Sequence, residues 1–180
     1  MRTLRSLSGL KVTPGMRVLV RVDWNVPLEG GLKPENSLKI ERSIETIHWL
    51  QSKKAVVILL THLGRPTKPD PAFSTAILVK LLKREYNLPI THHAYRVSQA
   101  KERTQLLREL EDADPGSVHL LENVRFESGE EKNLASLGKA YAELASAFVN
   151  DAFASCHRAH ASVVGIAKYL PAYAGKSLVE

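Results

Sequence analysis

Residues 55–60 read Ala-Val-Val-Ile-Leu-Leu, an apolar run that no polar side chain interrupts. A strand with one face in water alternates apolar and polar residues, whereas a strand of a parallel sheet is covered on both faces and is apolar throughout. The run is also far too short to span a bilayer as a helix. It therefore predicts a strand inside a parallel sheet that has helices on both faces.

Strand-like and helix-like segments alternate along the rest of the chain. Short apolar runs predict strands at residues 18–22, 55–60, 90–94, 118–121 and 147–150. Apolar residues at helical spacing predict helices near residues 40–51, 74–85, 99–111, 133–146 and 160–169. Glu130 is interpreted as an acid that stabilises the start of the fourth helix. The alternation is typical of an α/β fold, an open parallel sheet with helices on both faces in a Rossmann-like three-layer sandwich.

Length and composition limit the class of protein. The chain has 180 residues, 44% of them hydrophobic and 24% charged, so we expect one globular domain rather than a disordered or fibrous chain. Cys156 is the only cysteine, which rules out an internal disulfide and favours a reducing compartment. No apolar signal core follows the N-terminus. The expectation is therefore a monomer in the cytoplasm with no membrane partner.

Basic side chains stand where the apolar runs give way to loops. They are Arg21, His62, Arg65, Arg125 and Arg158. The carboxyl ends of parallel strands face one crevice, so we expect these groups to converge there. Clustered cations repel one another unless an anion lies between them, and guanidinium groups match the paired oxygens of phosphate and carboxylate. With a net charge of +6, the pattern predicts a site for a small, multiply charged anion, with Asp23 and Asn25 as acceptors for a hydroxyl group.

Several segments around these residues resemble the phosphoglycerate kinase family. They are residues 21–27 (RVDWNVP), 61–66 (THLGRP), 121–126 (LENVRF), 129–133 (GEEKN), 149–153 (VNDAF) and 157–160 (HRAH). The segments follow the family's order along nearly the whole chain, so the resemblance implies the fold of that family's N-terminal, 3-phosphoglycerate-binding domain. The implied boundaries are residues 1–170 for this domain and residues 171–180 for the start of the interdomain hinge.

The resemblance implies a glycolytic enzyme, a phosphotransferase with a carboxyl group as acceptor. Its reaction is the reversible transfer of a phosphoryl group between 1,3-bisphosphoglycerate with ADP and 3-phosphoglycerate with ATP. The implied nucleotide, ATP or ADP with Mg²⁺, binds in the family's C-terminal domain. This chain is expected to lack that domain, since it contains no Gly-rich phosphate loop. We therefore expect the chain alone to bind the acid substrate and to be inactive as a kinase.

Carried over residue by residue, the resemblance implies a role for each site residue. Asp23 and Asn25 resemble the family's contacts to the hydroxyl and carboxylate end of the substrate. The residues that resemble the basic patch around the 3-phosphate are His62, Arg65, Arg125 and Arg158. Arg21 is expected to brace that patch, and the backbone of Leu63 and Gly64 is expected to line the same turn.

Lys39 departs from the family pattern. The family has an arginine at the matching position of the first helix, where it meets the carboxyl group that is phosphorylated, so Lys39 is the implied catalytic residue. Lysine keeps the charge but loses the planar, two-pronged donor. Arg42, one helical turn further on, could take its place. A smaller departure is Trp24, which stands in the substrate-binding segment where the family usually has phenylalanine.

Two further interpretations carry less weight. The first is a non-catalytic module that binds phosphorylated metabolites or nucleic acid. The sequence lacks the interleaved arginine and aromatic residues with which proteins stack bases, so no nucleic acid partner is expected. The second is a metal site at Cys156, His157 and His160. No fourth ligand is in view for it, and no metal is expected.

Overall fold

The computed structural model describes residues 5–27 and 34–179. Within them one sheet forms from the strands β1 (Arg17–Val22), β2 (Val56–Leu60), β3 (Thr91–His93), β4 (Val118–Leu121), β5 (Ala147–Asp151) and β6 (Ala172–Ala174). The strand order is β3-β4-β2-β1-β5-β6, and each pairing is parallel. The longer helices are α1 (Pro34–Ser52), α2 (Ala76–Tyr86), α3 (Ala100–Glu111) and α4 (Ala135–Ala142).

Two apolar cores lie on opposite faces of the sheet, because successive side chains of a strand point to opposite sides. Val18 and Val20 of β1 share one core with Ile47 of α1 and with residues of α2. Leu19, between them, belongs to the other core, together with Leu106 of α3 and residues of α4. Strand β2 is buried along its whole length, as its apolar sequence predicts. The open parallel sheet with helices on both faces is thus confirmed.

The part of the chain before and after α4 differs from the prediction. Helix α4 is shorter than the helix expected at residues 133–146. Glu130 does not lie at a helix start but in the turn before α4, with its residue surface 1% exposed. In place of a regular helix at residues 160–169 there is a π-helical turn, Ala161–Gly165, followed by a short 3-10 turn. This turn packs tightly on α4, since a Cβ atom added to Gly138 would lie 2.8 Å from the carbonyl carbon of Gly165.

Strand β6 is an element that the sequence analysis did not predict. It lies within residues 171–180, the segment assigned to the start of a hinge, and pairs with β5 at the edge of the sheet. The backbone N–H of Ala174 donates to the carbonyl of Arg5 (2.7 Å), and Ser6 forms a parallel bridge with Ala174. Residues 172–174 therefore belong to the sheet, and the assignment of residues 171–180 to the start of a hinge stays a prediction. Residues 1–4, 28–33 and 180 of the predicted segments lie outside the described residues.

Candidate anion-binding site

The carboxyl ends of three neighbouring strands fix the position of the candidate site. Arg21, near the end of β1, lies opposite Leu60 of β2 on one side and Asn150 of β5 on the other. Residues that follow these strands therefore emerge at a single edge of the sheet. This is the edge at which ligands bind in open α/β sheets.

Five basic side chains gather near this edge, and we call them the cation cluster. They are Arg21, His62, Arg125, Arg158 and His160. Burial, followed by the charges of the other four members, lowers the pKa of His62 from 6.5 to about 3. Such charge effects require that the groups lie close together, because charge interactions weaken with distance and in water. At neutral pH His62 is therefore uncharged, which corrects the expectation that it adds a positive charge to the site.

Arg21 lies at the buried end of the cation cluster, with its residue surface only 1% exposed. Its Nε atom donates to the Ser162 hydroxyl (3.0 Å), its Nη2 atom donates to His62 Nδ1 (3.1 Å), and Nη1 donates to the carbonyl of Val22. Burial lowers the pKa of the Arg21 guanidinium, whereas the Glu130 carboxylate raises it. A guanidinium keeps its proton in proteins. The structure thus places Arg21 behind the site, as a charged support for the residues in front of it.

Glu130 and Ser162 belong to this site but were not identified from the sequence. Glu130 Oε1 accepts a hydrogen bond from Ser162 Oγ (2.5 Å), and Oε2 accepts one from the backbone N–H of Ser162 (2.9 Å). Burial raises the pKa of Glu130, while the Ser162 hydroxyl and the charge of Arg21 lower it. The carboxylate offsets part of the charge of the cation cluster, so the cluster does not depend on an external anion alone. The GEEKN segment contains Glu130, but no sequence signal marks this residue as buried.

The outer arginines differ in how firmly the structure holds them. The Arg125 side chain is 6% exposed and contacts the carboxylate of Glu131, whose side chain is 70% exposed. Arg158 is half-buried in the segment that follows β5. Arg65 is exposed in the loop after β2, so its distance from the cation cluster depends on that loop rather than on core packing. The structure therefore brings together four of the five basic residues expected from the sequence, with Arg65 at the margin.

A cavity of about 160 Å³ opens at the same edge of the sheet. Its lining residues are Asp23, Lys39, Arg42, Asp151, Phe153, Ala154 and Ser177. Lys39 and Arg42 both line the cavity from α1, so the sequence-predicted lysine and its candidate substitute lie side by side. Asp151 and Ser177 were not identified from the sequence. Ser177 Oγ donates to Asp151 Oδ1 (2.5 Å), which ties the C-terminal turn of the described chain to the end of β5.

The turn after β2 is held in place by Asn25. Its Oδ1 atom accepts a hydrogen bond from the backbone N–H of Gly64 (2.7 Å). Gly64 has a φ of +62°, and a Cβ atom added there would lie 2.4 Å from the ring of Phe73. Only glycine fits such a position without strain. Leu63 is buried beside it, so the backbone of this turn has a fixed position at the edge of the site.

Trp24 lies in the core beneath the site and not on its surface. The residue is completely buried, and its indole Nε1–H donates to the hydroxyl of Ser43 in α1 (2.7 Å). Its backbone N–H donates to Thr61 Oγ1 (3.1 Å). The Trp24 side chain therefore supports the β1–α1 packing, and no part of it faces the cavity lined by Asp23 and Lys39.

Known proteins resemble this chain in both sequence and fold. Residues 9–180 match the phosphoglycerate kinase family. The chain is 49% identical to the phosphoglycerate kinase of Thermus thermophilus and 44% identical to that of Bartonella henselae, each over 97% of this chain and 42% of the relative. The phosphoglycerate kinase structure from Coxiella burnetii matches with a TM-score of 0.79 and 36% identity, over 98% of this chain and 42% of that one. The structure from Pyrococcus horikoshii matches with a TM-score of 0.81 and 25% identity, over 98% and 43%. The chain thus spans less than half the length of these relatives, and it belongs to the phosphoglycerate kinase family.

Proposed function

We propose that this chain supplies the 3-phosphoglycerate-binding part of a phosphoglycerate kinase, an enzyme of glycolysis. The reaction is the reversible transfer of a phosphoryl group between 1,3-bisphosphoglycerate with ADP and 3-phosphoglycerate with ATP. One observation carries the proposal in addition to family membership: the cation cluster and the cavity lined by Lys39 and Arg42 lie at one edge of the sheet. Two adjacent regions that each contain basic side chains suit a substrate that has a phosphate at one end and a carboxylate at the other.

The two regions would divide the substrate between them. Arg125 and Arg158 are the charged members of the cation cluster that lie in front of Arg21, and they would hold the 3-phosphate. Lys39 would meet the carboxylate in the cavity, and Asp23 would accept a hydrogen bond from the substrate hydroxyl. A carboxylate is already ionised at neutral pH, so no general base is required. The contribution of these residues to phosphoryl transfer is positioning and charge stabilisation.

We propose no site for the nucleotide, ATP or ADP with Mg²⁺, among the described residues. Within residues 5–27 and 34–179, no group of three or more His, Cys, Asp or Glu side chains could hold a metal ion. The sequence also contains no Gly-x-x-x-x-Gly-Lys segment that could cradle the phosphates. No step at the nucleotide is therefore assigned to the residues of this chain. The binding of the nucleotide to another part of the kinase stays a prediction.

The alternative, a non-catalytic module for phosphorylated metabolites or nucleic acid, is not favoured. The relatives at 44–49% identity are named as phosphoglycerate kinases, and the basic residues form a compact cluster rather than an extended strip along which a nucleic acid backbone could lie. Among the described residues no helix is long and apolar enough to cross a membrane. A monomeric state and a cytoplasmic location stay predictions.

Calorimetry of the 180-residue chain tests the proposal. We expect saturable binding of 3-phosphoglycerate and much weaker binding of glycerate, which lacks the phosphate. Arg158→Met should weaken 3-phosphoglycerate binding about tenfold or more, because a charge-assisted contact is lost. Arg108→Met, an exposed arginine of α3, is the matched control and should bind as the wild type does. Salt-sensitive binding of an oligonucleotide without binding of 3-phosphoglycerate would contradict the proposal.

A further inference from the structure

A directed series of hydrogen bonds runs through the buried side of the site. Ser162 Oγ lies 2.5 Å from Glu130 Oε1, Arg21 Nε lies 3.0 Å from Ser162 Oγ, and Arg21 Nη2 lies 3.1 Å from His62 Nδ1. Glu130, Ser162 and Arg21 each have a residue exposure of 1% or less, so water does not compete for the bonds among these three residues. The series joins the turn before α4 to β1 and to the loop after β2.

The chemistry of each group fixes the direction of the series. Guanidinium nitrogens only donate hydrogen bonds, so Ser162 Oγ must accept from Arg21, and its single hydroxyl proton goes to the Glu130 carboxylate. For the same reason His62 Nδ1 must accept from Arg21. A neutral imidazole that accepts at one nitrogen carries its proton on the other. The proton of His62 is therefore on Nε2.

The surroundings of His62 also oppose a second proton on the ring. The charged and titratable groups that act on it come from β1 and from the segments after β4 and β5. They are Arg21, Arg125, Arg158 and His160. Burial and these like charges lower the pKa of His62 to about 3. Glu130, the buried carboxylate of the series, is joined to His62 through Ser162 and Arg21, and its Oε1 atom also lies 3.9 Å from His160 Nδ1.

We propose that Ser162 and Glu130 are positioning residues, which hold Arg21 so that His62 stays the neutral Nε2–H tautomer. His62 then offers a bound phosphate one N–H donor and no charge, and the charge comes from the arginines. This role rests on the proposed function, in which the cation cluster holds the 3-phosphate. The tautomer itself can be measured without any ligand, so a failure of the substrate proposal and a failure of this one are distinguishable.

Long-range ¹H–¹⁵N correlation spectra of the ligand-free wild-type chain give the first test. We expect the His62 ring to show the Nε2–H pattern and to keep it unchanged from about pH 8 to pH 5, the range in which an ordinary histidine gains its charge. An Nδ1–H pattern, or a His62 titration midpoint near 6.5, would overturn the proposal. This measurement needs no substitution and therefore does not depend on whether a variant folds.

Substitution of Ser162 separates positioning from simple structural support. Ser162→Ala removes the acceptor of Arg21 Nε, so Arg21 loses the bond that orients it toward His62, and we expect the His62 ring to show a mixture of the Nε2–H and Nδ1–H patterns. Binding of sulfate should weaken at the same time, because the Nδ1–H tautomer has no donor at Nε2. Ser162→Thr keeps the hydroxyl and should keep the wild-type Nε2–H pattern. Ser136→Ala, at an exposed serine of α4, is the control. If Ser162→Ala folds and leaves the His62 tautomer unchanged, the positioning role is wrong.

Discussion

The Nε2 atom of His93 lies 2.9 Å from the Nδ1 atom of His119, on the neighbouring strands β3 and β4. Both residues are buried, with exposures of 4% and 5%. Beyond them, His93 Nδ1 lies 2.9 Å from a carboxylate oxygen of Glu109, and His119 Nε2 lies 2.8 Å from the hydroxyl of Ser117. The carboxylate only accepts, so His93 donates to Glu109 from Nδ1. Burial lowers the pKa of His93, and a neutral ring with its proton on Nδ1 accepts at Nε2. His119 therefore donates to His93, and Ser117 donates to His119, with both histidines neutral.

This pair predicts a loss of stability in mild acid. Burial, then the proximity of His93, lowers the pKa of His119 from 6.5 to about 4. As the pH falls below 6.5, His119 becomes protonated in the unfolded chain while it stays neutral in the folded chain until about pH 4. The contribution of His119 to the free energy of unfolding is therefore fully present above pH 6.5 and is lost as the pH falls toward 4. The contribution of His119 is about 2–3 kcal/mol. Urea unfolding at a series of pH values in this range measures it.

A matched pair of variants isolates the contribution of His119. His119→Asn keeps an N–H donor for His93 but cannot titrate, so the free energy of unfolding should depend less steeply on pH than in the wild type. His48→Asn, at an exposed histidine of α1, should keep the wild-type slope. An unchanged slope in His119→Asn would show that this histidine does not link folding to pH.

Gly64→Ala should destabilise the chain by about 1–3 kcal/mol, because alanine is strained at positive φ and its Cβ would overlap the ring of Phe73. Thermal unfolding monitored by circular dichroism measures the loss. In the double variant with Phe73→Ala, the part of the destabilisation that comes from the overlap with the ring should disappear, and the part that comes from backbone strain should remain. Gly9→Ala is the control, since a Cβ there meets no atom within 4 Å. Equal stability of Gly64→Ala and Gly9→Ala would contradict the prediction.

Ser177→Ala should loosen the turn that follows β6. The Ser177 hydroxyl shares its single proton between the side chain and the carbonyl of Asp151, which is buried at the end of β5. Losing these bonds should cost about 1–3 kcal/mol locally. Hydrogen exchange of the backbone N–H groups at residues 177–179 should become faster, while β1 keeps its protection. Ser52→Ala removes a similar bond at an exposed helix end and should leave this turn unaffected.

Lys39→Arg should tighten the binding of 3-phosphoglycerate about tenfold, because a guanidinium can give a carboxylate two parallel hydrogen bonds. Calorimetry measures the change. Arg42 lines the same cavity, so Lys39→Met should retain part of the affinity, and Lys39→Met with Arg42→Met should lose most of it. If the double variant binds as well as the wild type, the carboxylate lies elsewhere.

The fold could be predicted where the pattern of buried residues was complete. Strand β2 is apolar along its length because both faces of the sheet are covered, and its prediction was confirmed. Strand β6 is only Ala-Tyr-Ala, which is too short and too small to show a pattern. Residues 161–165 were predicted as ordinary helix. The close contact between Gly138 and Gly165 that packs this turn on α4 joins distant parts of the chain, so the local sequence shows no sign of it.

The site could be predicted in part from its position at the strand ends. Arg21, His62 and Arg125 were expected to converge, since parallel strands end at one edge. The neutral state of His62 could not be predicted from the sequence, because its pKa depends on burial and on the arginines that surround it. Glu130 was misread as a helix start for a related reason: a carboxylate buried beneath a cluster of arginines looks, in sequence, like any exposed acid.

The bridge between Ser6 and Ala174 has a consequence for synthesis on the ribosome. Residues 5 and 6 emerge before any described strand of the sheet, yet the backbone groups to which they bond belong to β6, which emerges after the other described strands. During translation this edge of the molecule therefore stays open, with β5 lacking its outer neighbour. A nascent chain halted before residue 172 would expose that edge to chaperones or to a second nascent chain.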